Sequence, residues 1–304
     1  MSITVKNLTK LYGAQKAVDD ISFEVNEGEI LGFLGPNGAG KSTTMKIATC
    51  YVPPTEGTVQ VCGYDVVEKP IAVRKVIGYL PEHNPLYLDM YVHEYLGFIG
   101  SLHGLSGKSL RKRVEEMIGL CGLTIEQNKK IGALSKGYRQ RVGLAQAMVH
   151  DPKVFILDEP TTGLDPNQIL EIRKLIKNIS QEKTVIFSTH IMQEVQALCD
   201  RVIIINSGKI VADSPVDQLK EDQEDFDILS AEFSDSIDQT KLEAIEGVIE
   251  VAEEKTGKYI IKVASGKDIR GEIFKFATEN EKTLLGLSQE ERSLESIFHK
   301  LTKK

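Results

Sequence analysis

The chain holds only four cysteines, Cys50, Cys62, Cys121 and Cys199. None belongs to a C-x-x-C pair, and their spacings suggest neither a disulfide nor a zinc framework. They read as buried or half-buried free thiols of a reducing compartment. His83, His93, His103, His150 and His299 show no metal-ligand spacing either. No apolar run approaches the roughly 18–20 residues that a bilayer span needs. The opening M-S-I-T-V-K-N-L-T-K lacks the apolar stretch of a signal peptide. A soluble, cytosolic polypeptide is expected, one that serves a membrane only through another chain. Basic excess is missing too, with 37 Lys plus Arg against 44 Asp plus Glu and a formal charge of −7. Recruitment by charge to nucleic acid or to an anionic membrane is therefore excluded. There is no repeat and no low-complexity tract.

What is present is globular: 304 residues, 41% hydrophobic and 27% charged, enough for about two domains. Charge separates them. Residues 221–304 carry 20 acids and 12 bases, while 1–220 carry 24 and 25. Strand patterns at 2–8, 20–25, 30–34, 57–62, 76–80, 154–157, 184–188 and 201–206 alternate with helical ones at about 41, 68–75, 167–180 and 191–198. Ser207-Gly208 turns into a last strand, Lys209–Ala212. From about 88 to 150 the spacing is helical, as in Leu96, Ile99 and Leu102. Residues 1–220 thus read as one α/β domain with a largely parallel sheet and a helical subdomain. The charge run 220–227 reads as a linker. Beyond it a βαββαβ order (226–233, 238–246, 247–264, 267–281, 283–288), with a last helix at 292–302, suggests a small α+β ferredoxin-like domain over 221–304. Its phenylalanines, Phe226, Phe233, Phe274, Phe276 and Phe298, read as core.

Residues 35–43 are Gly35, Pro36, Asn37, Gly38, Ala39, Gly40, Lys41, Ser42 and Thr43. They match G-x-x-x-x-G-K-[ST] between an expected strand and an expected helix, the context this phosphate loop requires. Glycines let backbone amides wrap a phosphate, and the helix N-terminus adds partial positive charge. Lys41 is expected at the β- and γ-phosphates, Ser42 on Mg²⁺ and Thr43 at the α-phosphate. Strand 154–157 runs into Asp158-Glu159-Pro160. Asp158 is placed to hold Mg²⁺, and Glu159 to act as general base on the attacking water.

With these motifs in order, residues 2–220 resemble the ATP-binding subunit of an ABC transporter, a P-loop ATPase. Leu134-Ser135-Lys136-Gly137-Tyr138-Arg139-Gln140-Arg141 is similar to the ABC signature, with Lys136 and Tyr138 replacing the usual Gly and Gln. The resemblance implies that Ser135 and Gly137 contact the γ-phosphate of ATP held by a second subunit, in a head-to-tail homodimer. It further implies that Tyr12 stacks on adenine, that Asp165 of Gly163-Leu164-Asp165 crosses the dimer interface, and that His190 of Ser188-Thr189-His190 touches the γ-phosphate. Glu82 stands where the family has glutamine. As a carboxylate it keeps oxygen for Mg²⁺ or water but loses the amide donor.

Gly78-Tyr79-Leu80-Pro81-Glu82 and the ending S-L-E-S-I-F at 293–298 resemble the ABC-2 exporter branch. The stretch Pro81 through Tyr95 resembles gliding-motility-associated subunits of bacteria. The resemblance implies an ATPase on the inner face of the cell membrane, driving a separate integral-membrane permease and binding no nucleic acid. A multidrug, lipid or polysaccharide exporter, a soluble non-transport ABC ATPase and an inactive regulatory module are the alternatives. A ribosome-acting member would carry two cassettes and a repair member a long coiled coil. Intact Lys41, Asp158, Glu159 and His190 speak against an inactive module.

Overall fold

Apolar alternation at the amino end folds as a hairpin in the computed structural model, which describes residues 1–181, 183–221, 226–264, 267–290, 295, 298 and 301–302. Strands β1 (Ile3–Tyr12) and β2 (Gln15–Val25) pair antiparallel across Gly13-Ala14. Both run further than the segments 2–8 and 20–25 expected. Next come β3 (Ile30–Leu34), α1 (Lys41–Ala48), β4 (Glu56–Val61), β5 (Tyr64–Asp65), α2 (Pro70–Val76) and β6 (Ile77–Leu80). The helical stretch is not continuous. It holds α3 (Val92–Leu102), α4 (Gly107–Leu120) and α5 (Lys136–Met148), with turns and one 3-10 turn at Ile131–Ala133 between them. Then follow β7 (Val154–Asp158), α6 (Pro166–Ser180), β8 (Thr184–Thr189), α7 (Met192–Leu198), β9 (Arg201–Asn206) and β10 (Lys209–Pro215).

These strands form two sheets, not one. An antiparallel sheet has the order β2-β1-β4-β5, and a six-stranded sheet the order β10-β9-β3-β8-β7-β6. The second is parallel apart from the β9–β10 hairpin. Burial explains the split. Every residue of β3, β7 and β8 is buried, as in a sheet covered on both faces. Strands β2 and β4 carry exposed positions between their buried ones, as in a sheet covered on one. Leu31 and Phe33 of β3 share a core with Ile3 and Val5 of β1, Val59 and Val61 of β4, and Met45 and Ile47 of α1. Burying each such side chain contributes about 1.5–3 kcal/mol. On the opposite face of β3, a Cβ on Gly32 would lie 3.0 Å from Cys199 Sγ and 3.2 Å from Val195, so any side chain there would crowd α7. The parallel order sets the ends of β3, β7 and β8 side by side. The glycine loop, the two carboxylates and Ser188-Thr189-His190 therefore leave the sheet at one edge.

The chain divides into two units, Met1–Val216 with Leu301–Lys304, and Asp217–Lys300. The second holds α8 (Gln218–Glu221), β11 (Phe226–Phe233), α9 (Gln239–Glu243), β12 (Val248–Lys255), β13 (Lys258–Ala264), α10 (Arg270–Glu279) and β14 (Leu284–Glu290). Its antiparallel sheet runs β12-β13-β11-β14, so β13 lies between β11 and β12, the split βαβ of a ferredoxin-like domain. Phe233 and Phe276 are core here, but Phe274 is 63% exposed and is no core residue. It falls on the outer face of α10, whereas Ile273, Phe276 and Ala277 face the sheet. Most of the charge run and of the expected helix 292–302, with S-L-E-S-I-F, lies outside the described residues.

Candidate active site

Between β3 and α1 the chain turns through Gly38 at φ +79° and Gly40 at φ +112°. A Cβ on Gly40 would lie 2.5 Å from the carbonyl oxygen of Ala17. Thr44 Oγ1 donates to the Gly40 carbonyl at 3.0 Å and braces the first turn of α1. No acidic residue sits in that turn, so its amides and dipole keep their attraction for an anion. Lys41 is only 5% exposed. Its ammonium folds back to donate to the carbonyls of Gly35 at 2.7 Å and Pro36 at 3.3 Å, and lies 3.5 Å from Glu159 Oε1.

At the end of β7, Asp158 and Glu159 are both buried. Glu159 takes a left-handed backbone, φ +52°, held by its amide donating to the Ser188 carbonyl at 3.0 Å. Its Oε2 accepts from His190 Nδ1 at 2.7 Å and from Thr162 Oγ1 at 2.9 Å. Acceptance by the carboxylate puts the proton on Nδ1 when the imidazole is neutral. Asp158 Oδ1 accepts from Ser188 Oγ at 2.8 Å. Burial pushes the Asp158 carboxyl above the usual carboxylate range, the Ser188 and Ser42 hydroxyls pull it part of the way back, and the Glu159 and Glu82 charges push it up again. Glu82 is partly exposed beside the His83 ring, 4.0 Å away.

A cavity of about 460 Å³ opens over these groups. It is lined by Tyr12, Asn37, Gly38, Gly40, Lys41, Ser42, Thr43, Glu82, Glu159 and His190 of the expected set. Gly35, Pro36 and Ala39 belong to the loop but do not line it. Asp158 faces an adjoining cavity that shares Ser42 and Glu82. Ser135, Gly137 and Asp165 are not brought to this cavity. They sit at the starts of α5 and α6 instead. Ser135 caps α5, accepting from the Tyr138 amide at 3.4 Å, and Asp165 caps α6, accepting from the Gln168 amide at 3.0 Å. A Cβ on Gly137 would lie 2.7 Å from Gln168 Cδ, so the two helix starts abut.

Sequence reasoning missed Gln15, Ala17 and Thr162, which also line the cavity. The first two arrive on β2 through sheet pairing, which no local pattern announces. It also missed Glu194, a carboxylate 1% exposed inside α7. Its Oε2 accepts from Thr189 Oγ1 at 2.6 Å, and its Oε1 accepts from Thr161 Oγ1. Its neighbours Met192 and Val195 are buried as well, and an acid within that apolar helix face is the one signal that could have found it.

The Ser42 hydroxyl and the Asp158 and Glu82 carboxylates are all hard oxygen donors, the type that suits Mg²⁺. Burial first, and then the Glu159 and Glu82 charges, raise the Asp158 carboxyl, and a cation held there would favour its charged form.

Residues 18–162 match the family described as ABC transporter. The bacitracin transport ATP-binding protein BcrA of Bacillus licheniformis is 34% identical over 99% of this chain and 98% of that protein. The linearmycin resistance ATP-binding protein LnrL of Bacillus subtilis is 33% identical over the same shares. Among solved structures, a dimeric ATP-binding cassette in a post-hydrolysis state bound to ADP and Pi superposes with a TM-score of 0.66, at 27% identity, over 70% of this chain and 98% of that one.

Proposed function

Because this chain belongs to the ABC transporter family as an ATP-binding, ATP-hydrolysing subunit, we propose that two copies sandwich two ATP molecules and drive a separate permease of exporter type. The observation that carries the hydrolytic reading is the cluster Lys41–Glu159–His190 beneath the glycine loop. The β- and γ-phosphates draw the Lys41 ammonium from the Gly35 and Pro36 carbonyls. Thr43 meets the α-phosphate, and Tyr12 stacks on adenine. Glu159 takes a proton from water as its oxygen bonds to the γ-phosphorus and the bond to ADP breaks, leaving ADP and Pi. Thr162 and His190 both hold Oε2, so the base is aimed before substrate enters. His190 also reaches the γ-phosphate. Ser42, Asp158 and Glu82 would hold Mg²⁺, which would supply charge neutralisation at the phosphates. Ser135, Gly137 and Asp165 act across the dimer, at the partner's ATP.

Similarity over 99% of this chain to proteins named for bacitracin transport and linearmycin resistance favours a multidrug-type exporter among the alternatives. A second reading, gliding-motility export, is carried by the stretch Pro81–Tyr95 alone. Among the described residues no helix is long and apolar enough to cross a membrane, and the cargo path is assigned to the permease. That chain docks on 88–130 with Glu82. There Leu88, Tyr91, Leu102 and Ile125 are exposed. The complex lies on the inner face of the cell membrane. Residues 221–304 support dimerisation or regulation, and their deletion with no change in ATPase rate, dimerisation or transport would refute this. Purification from solubilised membranes tests the whole reading. A polytopic membrane protein should co-purify and stimulate ATP hydrolysis. Co-sedimentation with ribosomes in its place would overturn the transport assignment.

A further inference from the structure

Glu194 touches neither the cavity nor any residue assigned to ATP, yet it is a carboxylate with 1% exposure inside α7. A buried carboxylate is retained only where its oxygens are satisfied. Both of its oxygens are. Oε1 accepts from the hydroxyl of Thr161, two residues beyond Glu159. Oε2 accepts from the hydroxyl of Thr189 at 2.6 Å, the residue before His190. Thr189 Oγ1 is also fixed by the Ile191 amide, which donates to it at 3.1 Å. One side chain therefore ties the loop after β7 to the last residue of β8. That loop carries Glu159, and His190 follows Thr189 directly; the side chains of Glu159 and His190 meet at 2.7 Å. Glu159 also holds a left-handed backbone, so its loop has a conformation to lose.

We propose that Glu194 is a positioning residue for hydrolysis: by clamping Thr161 and Thr189 it fixes the distance between the base and the histidine. The proposal rests on Glu159 being the base. Glu194 makes no contact with nucleotide, so its loss leaves binding intact and misaims the carboxylate. A misplacement on the order of 1 Å at a reacting group costs up to about a hundredfold in rate.

The test uses the full chain, with kcat, KM for ATP and thermal midpoint measured for Thr161→Val, Glu194→Ala, Glu194→Gln and Glu159→Gln. Thr161→Val and Glu194→Ala should lower kcat on the order of ten- to a hundredfold while KM stays within about twofold. Glu194→Gln can still accept from Thr161 and donate to the Thr189 oxygen, so kcat should return to within about threefold of wild type. Should Glu194→Ala fail to fold, Thr161→Val removes a single hydroxyl and carries the test alone. Wild-type kcat in folded Thr161→Val, or a loss expressed only in KM, overturns the proposal, as does a Gln variant no better than Ala. Glu159→Gln separates the two layers. If it keeps the wild-type rate, the reading of the base has failed. If it loses the rate while Thr161→Val and Glu194→Ala do not, only the clamp has failed.

Discussion

Two glycines of the phosphate loop differ in what surrounds them, and exchanging each for alanine separates strain from collision. Gly38 sits at φ +79° with nothing within 4 Å of the Cβ it would gain. Gly38→Ala should therefore cost only the left-handed penalty, about 1–2 kcal/mol. Gly40 sits at φ +112°, outside the ordinary left-handed well, and its Cβ would stand 2.5 Å from the Ala17 carbonyl oxygen and 3.2 Å from Ile205 Cδ1. Strain of that kind costs about 1–3 kcal/mol, and relieving a contact with backbone adds to it, so about 3 kcal/mol or more is expected. Each kcal/mol lowers the midpoint of a domain of this size by about 2–4 °C. Differential scanning fluorimetry without nucleotide should give a fall of about 2–8 °C for Gly38→Ala and about 6–12 °C or more for Gly40→Ala. Because Gly40 adjoins Lys41, the second variant should also bind ATP more weakly in an equilibrium titration. Equal midpoints for the two variants, or native affinity in Gly40→Ala, would refute the role given to the β2 contact.

Lys41→Ala removes a charged donor from phosphate. ATP affinity should fall about ten- to a hundredfold, and a titration showing native affinity would sink the phosphate-loop assignment. His150 donates from Nε2 to the Ile77 carbonyl at 2.9 Å and stacks on His103 with ring centroids 3.7 Å apart. Burial, with the neighbouring His103, pulls it down to about 4. Below its unfolded value of 6.5 the unfolded chain takes a proton that the folded chain refuses, so stability is lost as pH falls from 6.5 towards 4. Urea midpoints across that window should decline less steeply in His150→Gln, and parallel slopes would rule this out.

Local chemistry was legible where one short stretch carries it. Residues 35–43 and Asp158-Glu159 could be read because the function of each depends on neighbours in the chain, and the structure sets them at one edge of the sheet. Two kinds of feature were not legible. The split into two sheets depends on which strands are covered on one face and which on both, and an apolar run such as Ile30–Leu34 says nothing about its partner. Ala17 and Glu194 act on residues 23 and 33 positions away, through strand pairing and helix packing. Phe274 shows the converse error. Composition suggested a core residue, but helical phase turns it to solvent.

The central claim, that Glu159 removes the proton from the attacking water, is tested most directly by a single-turnover experiment on Glu159→Gln with Mg²⁺ and excess protein over ATP. The amide keeps the size and the acceptor oxygen of the carboxylate but cannot take the proton. Bound ATP should persist unhydrolysed, with affinity near wild type and a dimer accumulating around it. Release of ADP and Pi at the wild-type rate would contradict the account.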